Sequence, residues 1–391
     1  MAKPYDVAVV GLGLVGAASL RYLSLAGQRC IGIGPAEPLD WSTHEGVFAS
    51  HYDSGRISRR LDKRREWAVL AARAIAAYAD IESASGIAFH WPVGVLMADV
   101  DADRVAAITA VADELGVAFE RREPGESFGD DRVSVPAGAT VLREPAPGGF
   151  IDPRRMLTAQ LAVAKGRSAE LLSEQVTGVE RRSGGGWSVN TVDGTAVEAD
   201  HVVIAAGPHA DELSGLPRRP LIDVVAETVV LAKVPAVEQA RLSGLPSLIV
   251  DDFVEHLYIV PPTAYPDGHA YVKLGATRHD KRVLDPQERR AWMIGDAHEA
   301  DLPWLRGLLL GVLPGLQVDA WSTKPCLIPD TPTKLPYLEI VEPGLVMAVG
   351  TNGYAAKSAD ALGALAAGLV INGRWTDTDL EESAFSLISR D

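Results

Sequence analysis

Val7-Ala8-Val9-Val10-Gly11-Leu12-Gly13-Leu14-Val15-Gly16 is the stretch on which the fold turns. Four apolar residues in a row make a short buried strand, and the glycines after them stand at the spacing G-x-G-x-x-G. In that setting each glycine has its own task. The first permits a tight turn, the second lets a pyrophosphate approach the backbone, and the third lets a helix sit close against the strand. Residues 14–26 are helix-compatible, Gly27 is a C-cap signal, and Cys30–Ile33 is a second apolar run. Strand, glycine turn, helix and strand form a βαβ opening, which implies a parallel sheet and a dinucleotide held at Gly11, Gly13 and Gly16. A carboxylate about 20 residues on usually holds the ribose hydroxyls. Here the second strand ends Gly32-Ile33-Gly34 and the first acid is Glu37, three residues late. Glu37 is the candidate ribose ligand, and the motif alone leaves FAD and NAD both open.

Past this opening, residues 66–85 and 102–115 have helical periodicity. Residues 187–197 alternate about Asp193-Gly194 and predict a hairpin, and residues 199–207 are an apolar strand ending in glycine that returns to the first sheet. Residues 224–234 and 248–275 are alternating and β-branched, as in an antiparallel sheet open on one face. Residues 286–313 predict helix and 318–328 extended chain. Residues 345–350 predict another strand ending in glycine, and 355–369 a closing helix. The outer thirds share one texture and the middle has another. This predicts an α/β fold in which a Rossmann-like domain of residues 1–85, 150–220 and 325–391 is interleaved with an antiparallel-sheet domain of residues 86–149 and 221–324.

The 391-residue chain carries 52 acidic and 37 basic side chains, a formal net charge of −15, which argues against a nucleic-acid partner. No window approaches the roughly 18 uninterrupted apolar residues of a membrane span. Cys30 and Cys326 lie far apart, and the start Met-Ala-Lys-Pro-Tyr-Asp lacks the pattern of a signal peptide, so a cytoplasmic protein without disulfides is expected. The nine histidines show no metal-ligand spacing; His256, His269 and His279 fall on different turns of one sheet region, and no metal is expected. Six basic residues between Arg56 and Arg65 read first as the solvated face of a helix.

Four blocks in order carry a more specific signal: the glycine fingerprint with Ser50-His51-Tyr52-Asp53-Ser54-Gly55-Arg56-Ile57-Ser58-Arg59, then Tyr271-Val272-Lys273-Leu274-Gly275, Thr323-Lys324-Pro325-Cys326, and Gly350-Thr351-Asn352-Gly353-Tyr354-Ala355-Ala356-Lys357. Together they resemble the monomeric sarcosine oxidase and N-methyltryptophan oxidase family of flavoproteins, over essentially the whole chain. The resemblance implies FAD extended in the glycine-rich domain, with its flavin ring meeting a substrate domain floored by an antiparallel sheet. It also implies a monomer that oxidises an amine alpha to a carboxylate, passes the electrons to dioxygen, and yields an imine and hydrogen peroxide.

By the same resemblance Arg59 clamps the substrate carboxylate and Lys357 assists it. A guanidinium forks onto a carboxylate while an ammonium adds a second charge, fixing the reacting C–H over the flavin. Lys273, which by alternation alone would point to solvent, matches a lysine that faces the flavin and promotes reaction of the reduced ring with oxygen. Cys326 matches a cysteine carrying the flavin through a thioether; the alternative is an inert buried cysteine. Ser50, Val176, Gly207, Gly350 and Gly353 fall along the cofactor, Lys357 close to it, and Arg56 beside the flavin. Tyr258 matches a pocket aromatic, whereas Thr277 and Ile328 replace an expected histidine and tyrosine, and Thr333 an expected Asp. Loss of aromatic and polar bulk makes a roomier, more apolar pocket. The expected substrate is therefore an N-alkyl or N-carboxymethyl glycine with an apolar N-substituent, cleaved after oxidation to an amine and an aldehyde or oxo acid such as glyoxylate. Alternatives are a cyclic imino-acid oxidase, a flavin dehydrogenase using another acceptor, and a non-catalytic dinucleotide-binding sensor.

Overall fold

A computed structural model describes residues 3–40, 42–50, 52–252, 256–277 and 281–390. His51 and His279 lie outside the described residues. The strand Tyr5–Val10 stands at the middle of a parallel row in the order Glu170–Leu172, Cys30–Ile33, Tyr5–Val10, Ala196–Ile204, Leu345–Val349. Its side chains divide by a period of two. Val7 and Val9 enter one core with the helices Leu14–Leu25, Arg65–Ser85 and Ala355–Asn372, and Ala8 and Val10 enter a second core with Trp187 and Val189 on the opposite face. A strand covered on both faces has no polar side to show, which is why its sequence is a continuous apolar run.

The hairpin forms between Trp187–Thr191 and the next strand, but its second arm and the returning strand are one element. Ala196–Ile204 pairs antiparallel with Trp187–Thr191 through its first half. Through its second half it pairs parallel with Tyr5–Val10 and Leu345–Val349. Neither glycine nor proline interrupts residues 196–204, so nothing ends the strand between its two partners.

A second sheet of nine strands is built around Asp223–Lys233, which pairs antiparallel with both Ala270–Thr277 and Ala320–Asp330. One face, with Val230, Ala232, Leu257, Ile259, Val272 and Leu274, packs on Leu305 and Leu309 of the helix Leu302–Val312. The predicted helix over 286–313 is three pieces: Pro286–Ile294, a 3-10 turn Ala297–Asp301, and Leu302–Val312. Gly295 ends the first, and Pro303, which lacks an N–H to give to a preceding turn, opens the last.

A three-stranded sheet of Arg56–Ser58, Gly149–Ile151 and His90–Trp91 carries the arginine segment. The basic run is therefore not a solvated helix face. Arg56–Ser58 is a strand, the helix begins only at Arg65, and Arg59 is 9% exposed. The reason is pairing: Arg56, Arg59 and Arg60 reach Asp53, Asp62 and Glu144, and carboxylate partners make burial of these cations tolerable. No helix among the described residues is long and apolar enough to cross a membrane.

Candidate active site

A cavity of about 1160 Å³ opens along the C-terminal ends of the parallel strands, lined among others by Gly11, Gly13, Glu37, Ser50, Arg56, Val176, Gly207, Cys326, Ile328, Gly350 and Gly353. The three motif glycines meet three different demands. Gly11 has φ +93°, a Cβ on Gly16 would lie 1.8 Å from the Gly11 carbonyl oxygen, and a Cβ on Gly13 would meet nothing within 4 Å. Gly16 thus holds the turn from below rather than lining the cavity. Gly13 leaves open the space beside the start of Leu14–Leu25, where backbone N–H groups and the helix dipole favour phosphate. These residues fit FAD. Glu37 is gripped by Arg154 through bonds of 2.6 and 2.8 Å. Arg154, at the start of the helix Pro153–Gly166, carries no sequence signal of this role, because only the fold brings it to Glu37.

The register of the second sheet decides which side chains share a face with Cys326 and Ile328, the two of its residues named above that line the cavity. Leu231 pairs with Lys273, Tyr258 with Gly275, Val225 with Ile328, and Glu227 with Cys326. Directly opposed residues share a face, so Lys273, Tyr258, Glu227, Cys326 and Ile328 rise from the side away from the Leu302–Val312 helix. Thr277 follows on the same side, half-buried and opposite His256. Tyr258 lies flat across Gly275, where a Cβ would come within 2.5 Å of the ring.

Lys273 is 1% exposed and does not reach solvent. It donates to Asp53 Oδ2 at 2.7 Å and to the Gly55 carbonyl at 2.9 Å, and its Nζ stands 5.1 Å from the centre of the Tyr258 ring. Burial, with Arg56 adding repulsion, pulls its ammonium down to about 8. Arg56 pairs with Asp53 at 2.7 Å, donates to Tyr258 Oη at 3.1 Å, and brings Nη2 to 3.5 Å from Cys326 Sγ. Its buried Nε has no hydrogen-bond partner among the described residues. Burial pushes the Cys326 thiol up while Arg56 draws it back down. Glu227, beside this group, is pushed up to about 7 by burial.

On the other side Lys357, in the first turn of Ala355–Asn372, is 3% exposed and places Nζ 2.6 Å from Asp62 Oδ2. Arg59 Nη1 reaches the same oxygen at 3.2 Å, and the Arg64 N–H donates to Asp62 Oδ1 at 3.0 Å. Burial, with Arg59 beside it, lowers Lys357 to about 8. Burial opposes ionisation of Asp62, yet Lys357 and Arg59 together hold its carboxyl well below the usual range. The structure therefore brings Arg59 and Lys357 together, but around a carboxylate of the chain itself. Asp53 and Asp62 were missed by sequence reasoning although a signal stands in the open: Asp53-x-x-Arg56-x-x-Arg59-x-x-Asp62.

The chain is 25% identical over 225 residues to the tRNA 5-methylaminomethyl-2-thiouridine biosynthesis bifunctional protein MnmC of Idiomarina loihiensis, a match covering 56% of this chain and 34% of that protein. It is 26% identical over 217 residues to monomeric sarcosine oxidase of Streptomyces avermitilis, covering 54% of each. The chain thus spans about a third and about half the length of these curated relatives. NikD, described as an unusual amino acid oxidase essential for nikkomycin biosynthesis, has the same fold in its open form, with a TM-score of 0.75, 22% identity and coverage of 100% of this chain and 98% of that one. Residues 6–369, nearly the whole chain, match the family DAO, FAD dependent oxidoreductase, and the protein belongs to that family.

Proposed function

We propose that this protein oxidises the C–N bond of an N-substituted amino acid, an N-alkyl glycine with an apolar substituent, and returns the electrons to dioxygen as hydrogen peroxide. The observation that carries the reading is three buried cations close to the cavity: Arg59 and Lys357, the latter one residue past the cavity-lining Ala355 and Ala356, and Lys273, bonded to the cavity-lining Asp53. The sarcosine oxidase relative and the amino acid oxidase fold neighbour support the same chemistry. FAD, when bound, supplies a two-electron acceptor for the hydride of the carbon beside nitrogen. The substrate also sheds a proton, and water splits the resulting imine into an amine and a carbonyl compound.

The residues of the chain have separate tasks in this reading. Gly11, Gly13, Glu37, Ser50, Val176, Gly207, Gly350 and Gly353 hold the dinucleotide. Arg59 takes the substrate carboxylate and so fixes which C–H faces the ring. Lys273 keeps a positive charge at the floor, where negative charge develops as oxygen is reduced. Tyr258, Thr277 and Ile328 bound the space for the N-substituent. Arg56 at 3.5 Å from Sγ offsets part of the burial that raises the Cys326 thiol, and covalent attachment of the flavin needs that thiol ionised.

The test is an absorbance spectrum of the purified protein before and after acid precipitation, followed by anaerobic addition of a panel of N-alkyl glycines. Flavin that stays in the pellet and is bleached by a panel member is the expected result. Flavin released to the supernatant removes only the Cys326 link. A flavin reduced by the panel yet slow to reoxidise in air replaces the oxidase by a dehydrogenase. A flavin that no amine reduces overturns the proposal.

A further inference from the structure

Arg59 and Lys357 already share a carboxylate, and this sets what else they can hold. Asp62 lies 2.6 Å from Lys357 Nζ and 3.2 Å from Arg59 Nη1, and all three side chains are buried. The other charges around them have partners of their own. Glu144 takes Arg60 Nε at 2.8 Å together with the Arg60 and Leu61 N–H groups, and Asp251 pairs with His256 and, at 3.6 Å, with an Arg104 that it shares with Asp99. Arg64 donates to the Thr333 carbonyl, and Tyr354 offers only its ring to Lys357, at 4.8 Å. Within the clamp itself, Arg59, Lys357 and Asp62, two cations less one anion leave a single positive charge. Arg59 gives Asp62 one N–H, and no other hydrogen bond of its guanidinium occurs among the described residues, so one edge of its fork is open.

We propose that Asp62 is a specificity-determining residue, a resident carboxylate that engages Lys357 and leaves the clamp room for one substrate carboxylate, on the open edge of Arg59, so that dicarboxylates are disfavoured. The inference rests on the reading of Arg59 and Lys357 as the substrate clamp. Two buried cations without a counter-ion would lose a proton from lysine rather than wait charged for a ligand. Asp62 keeps Lys357 protonated and held in place. A second substrate carboxylate in the same pocket meets Asp62 as a like charge with no unmatched cation left, a repulsion strengthened by the absence of water.

Two ethers that cannot be oxidised at nitrogen test this on the holoenzyme by isothermal titration: methoxyacetate with one carboxylate and oxydiacetate with two. Wild type is expected to favour methoxyacetate by about tenfold or more, the scale of one charge-assisted hydrogen bond. Asp62→Asn, measured at pH 6.5, is expected to shift that ratio at least about tenfold toward oxydiacetate. Lys357→Met should lose methoxyacetate affinity, and the double variant Asp62→Asn with Lys357→Met should regain it, because Arg59 alone then supplies the single charge. A purely structural role for Asp62 would not produce that rescue. An unchanged ratio in Asp62→Asn, or additive losses in the double variant, overturns the inference while the clamp stands. Unchanged methoxyacetate binding by Arg59→Gln removes the clamp itself, and this inference with it.

Discussion

Two groups of the same composition flank the cavity. Asp53 and Asp62 stand three residues outside Arg56 and Arg59, and each draws in a distant lysine, Lys273 at 220 residues and Lys357 at 295. Their difference lies in what is left over. In the first group Lys273 has a further acceptor in the Gly55 carbonyl, and Arg56 reaches Tyr258 and Cys326 as well as Asp53. In the second, Arg59 makes one hydrogen bond and keeps an open edge. Residue type does not separate a floor from a binding site here. The amount of unspent hydrogen-bonding capacity does: the first group leaves one buried N–H, Arg56 Nε, without a partner among the described residues, whereas the second leaves the rest of the Arg59 fork to recruit a ligand.

The sharpest test removes each carboxylate in turn. Asp53→Ala strands Lys273 and Arg56 in the interior, and breaking a buried ion group of this kind costs about 3–5 kcal/mol. A melting temperature lowered by several degrees is expected, with a visibly smaller drop for Asp62→Ala; equal drops in thermal denaturation would erase the distinction. Next comes Lys273→Met, expected to slow reoxidation of the reduced flavin by oxygen by about 10²-fold, on the scale of one electrostatic stabiliser. Lys357→Met should leave that step alone, as rapid mixing of reduced protein with oxygen would reveal. Arg59→Gln should lower kcat/KM for carboxylate substrates by roughly 10–100-fold with the flavin spectrum intact, the loss of a hydrogen bond to a charged group. Arg56→Gln should alter the spectrum itself. The mildest effect is that of pH. Lys357 is lowered to about 8, so its charge is present below that pH and lost above it. Carboxylate affinity is expected to hold to about pH 7 and then weaken, by at most about tenfold per unit. Lys273 is lowered to about 8 as well. A decline that persists in Lys357→Met would assign the effect to the floor lysine instead.

Much of the frame was legible because it follows from local rules. The run Val7–Val10 with its glycines needs a βαβ turn whatever surrounds it, whereas the stretch 286–313, read as one helix, is broken at Gly295 and Pro303, breakers that the apolar periodicity hid. Pairing across the fold was not legible. The basic run between Arg56 and Arg65 reads as solvated by the usual statistics of charge, and only the i,i+3 acids on either side hinted at burial. Alternation correctly put Lys273 on one face of its strand, but it could not say that Asp53 and Gly55 would cover that face. Glu37 was singled out by its position after the second strand. Its partner Arg154 lies 117 residues away, on a helix with no reason of its own to display an arginine there. Glu227 looked like an ordinary strand residue, and what makes it unusual, burial opposite Cys326, depends on strands nearly 100 residues apart in the chain.

The place of Tyr5–Val10 bears on how the chain comes to be folded during synthesis. It is made before its partners, which are Cys30–Ile33 on one side and Ala196–Ile204 on the other, the latter itself flanked by Leu345–Val349. A nascent chain therefore carries an apolar strand with two bare faces until the partners that cover it have been made. Long-range parallel pairing of this kind forms slowly and leaves unpaired edges exposed meanwhile. Products cut short before the Leu345–Val349 strand would accordingly meet the cell as sticky fragments rather than as smaller flavoproteins.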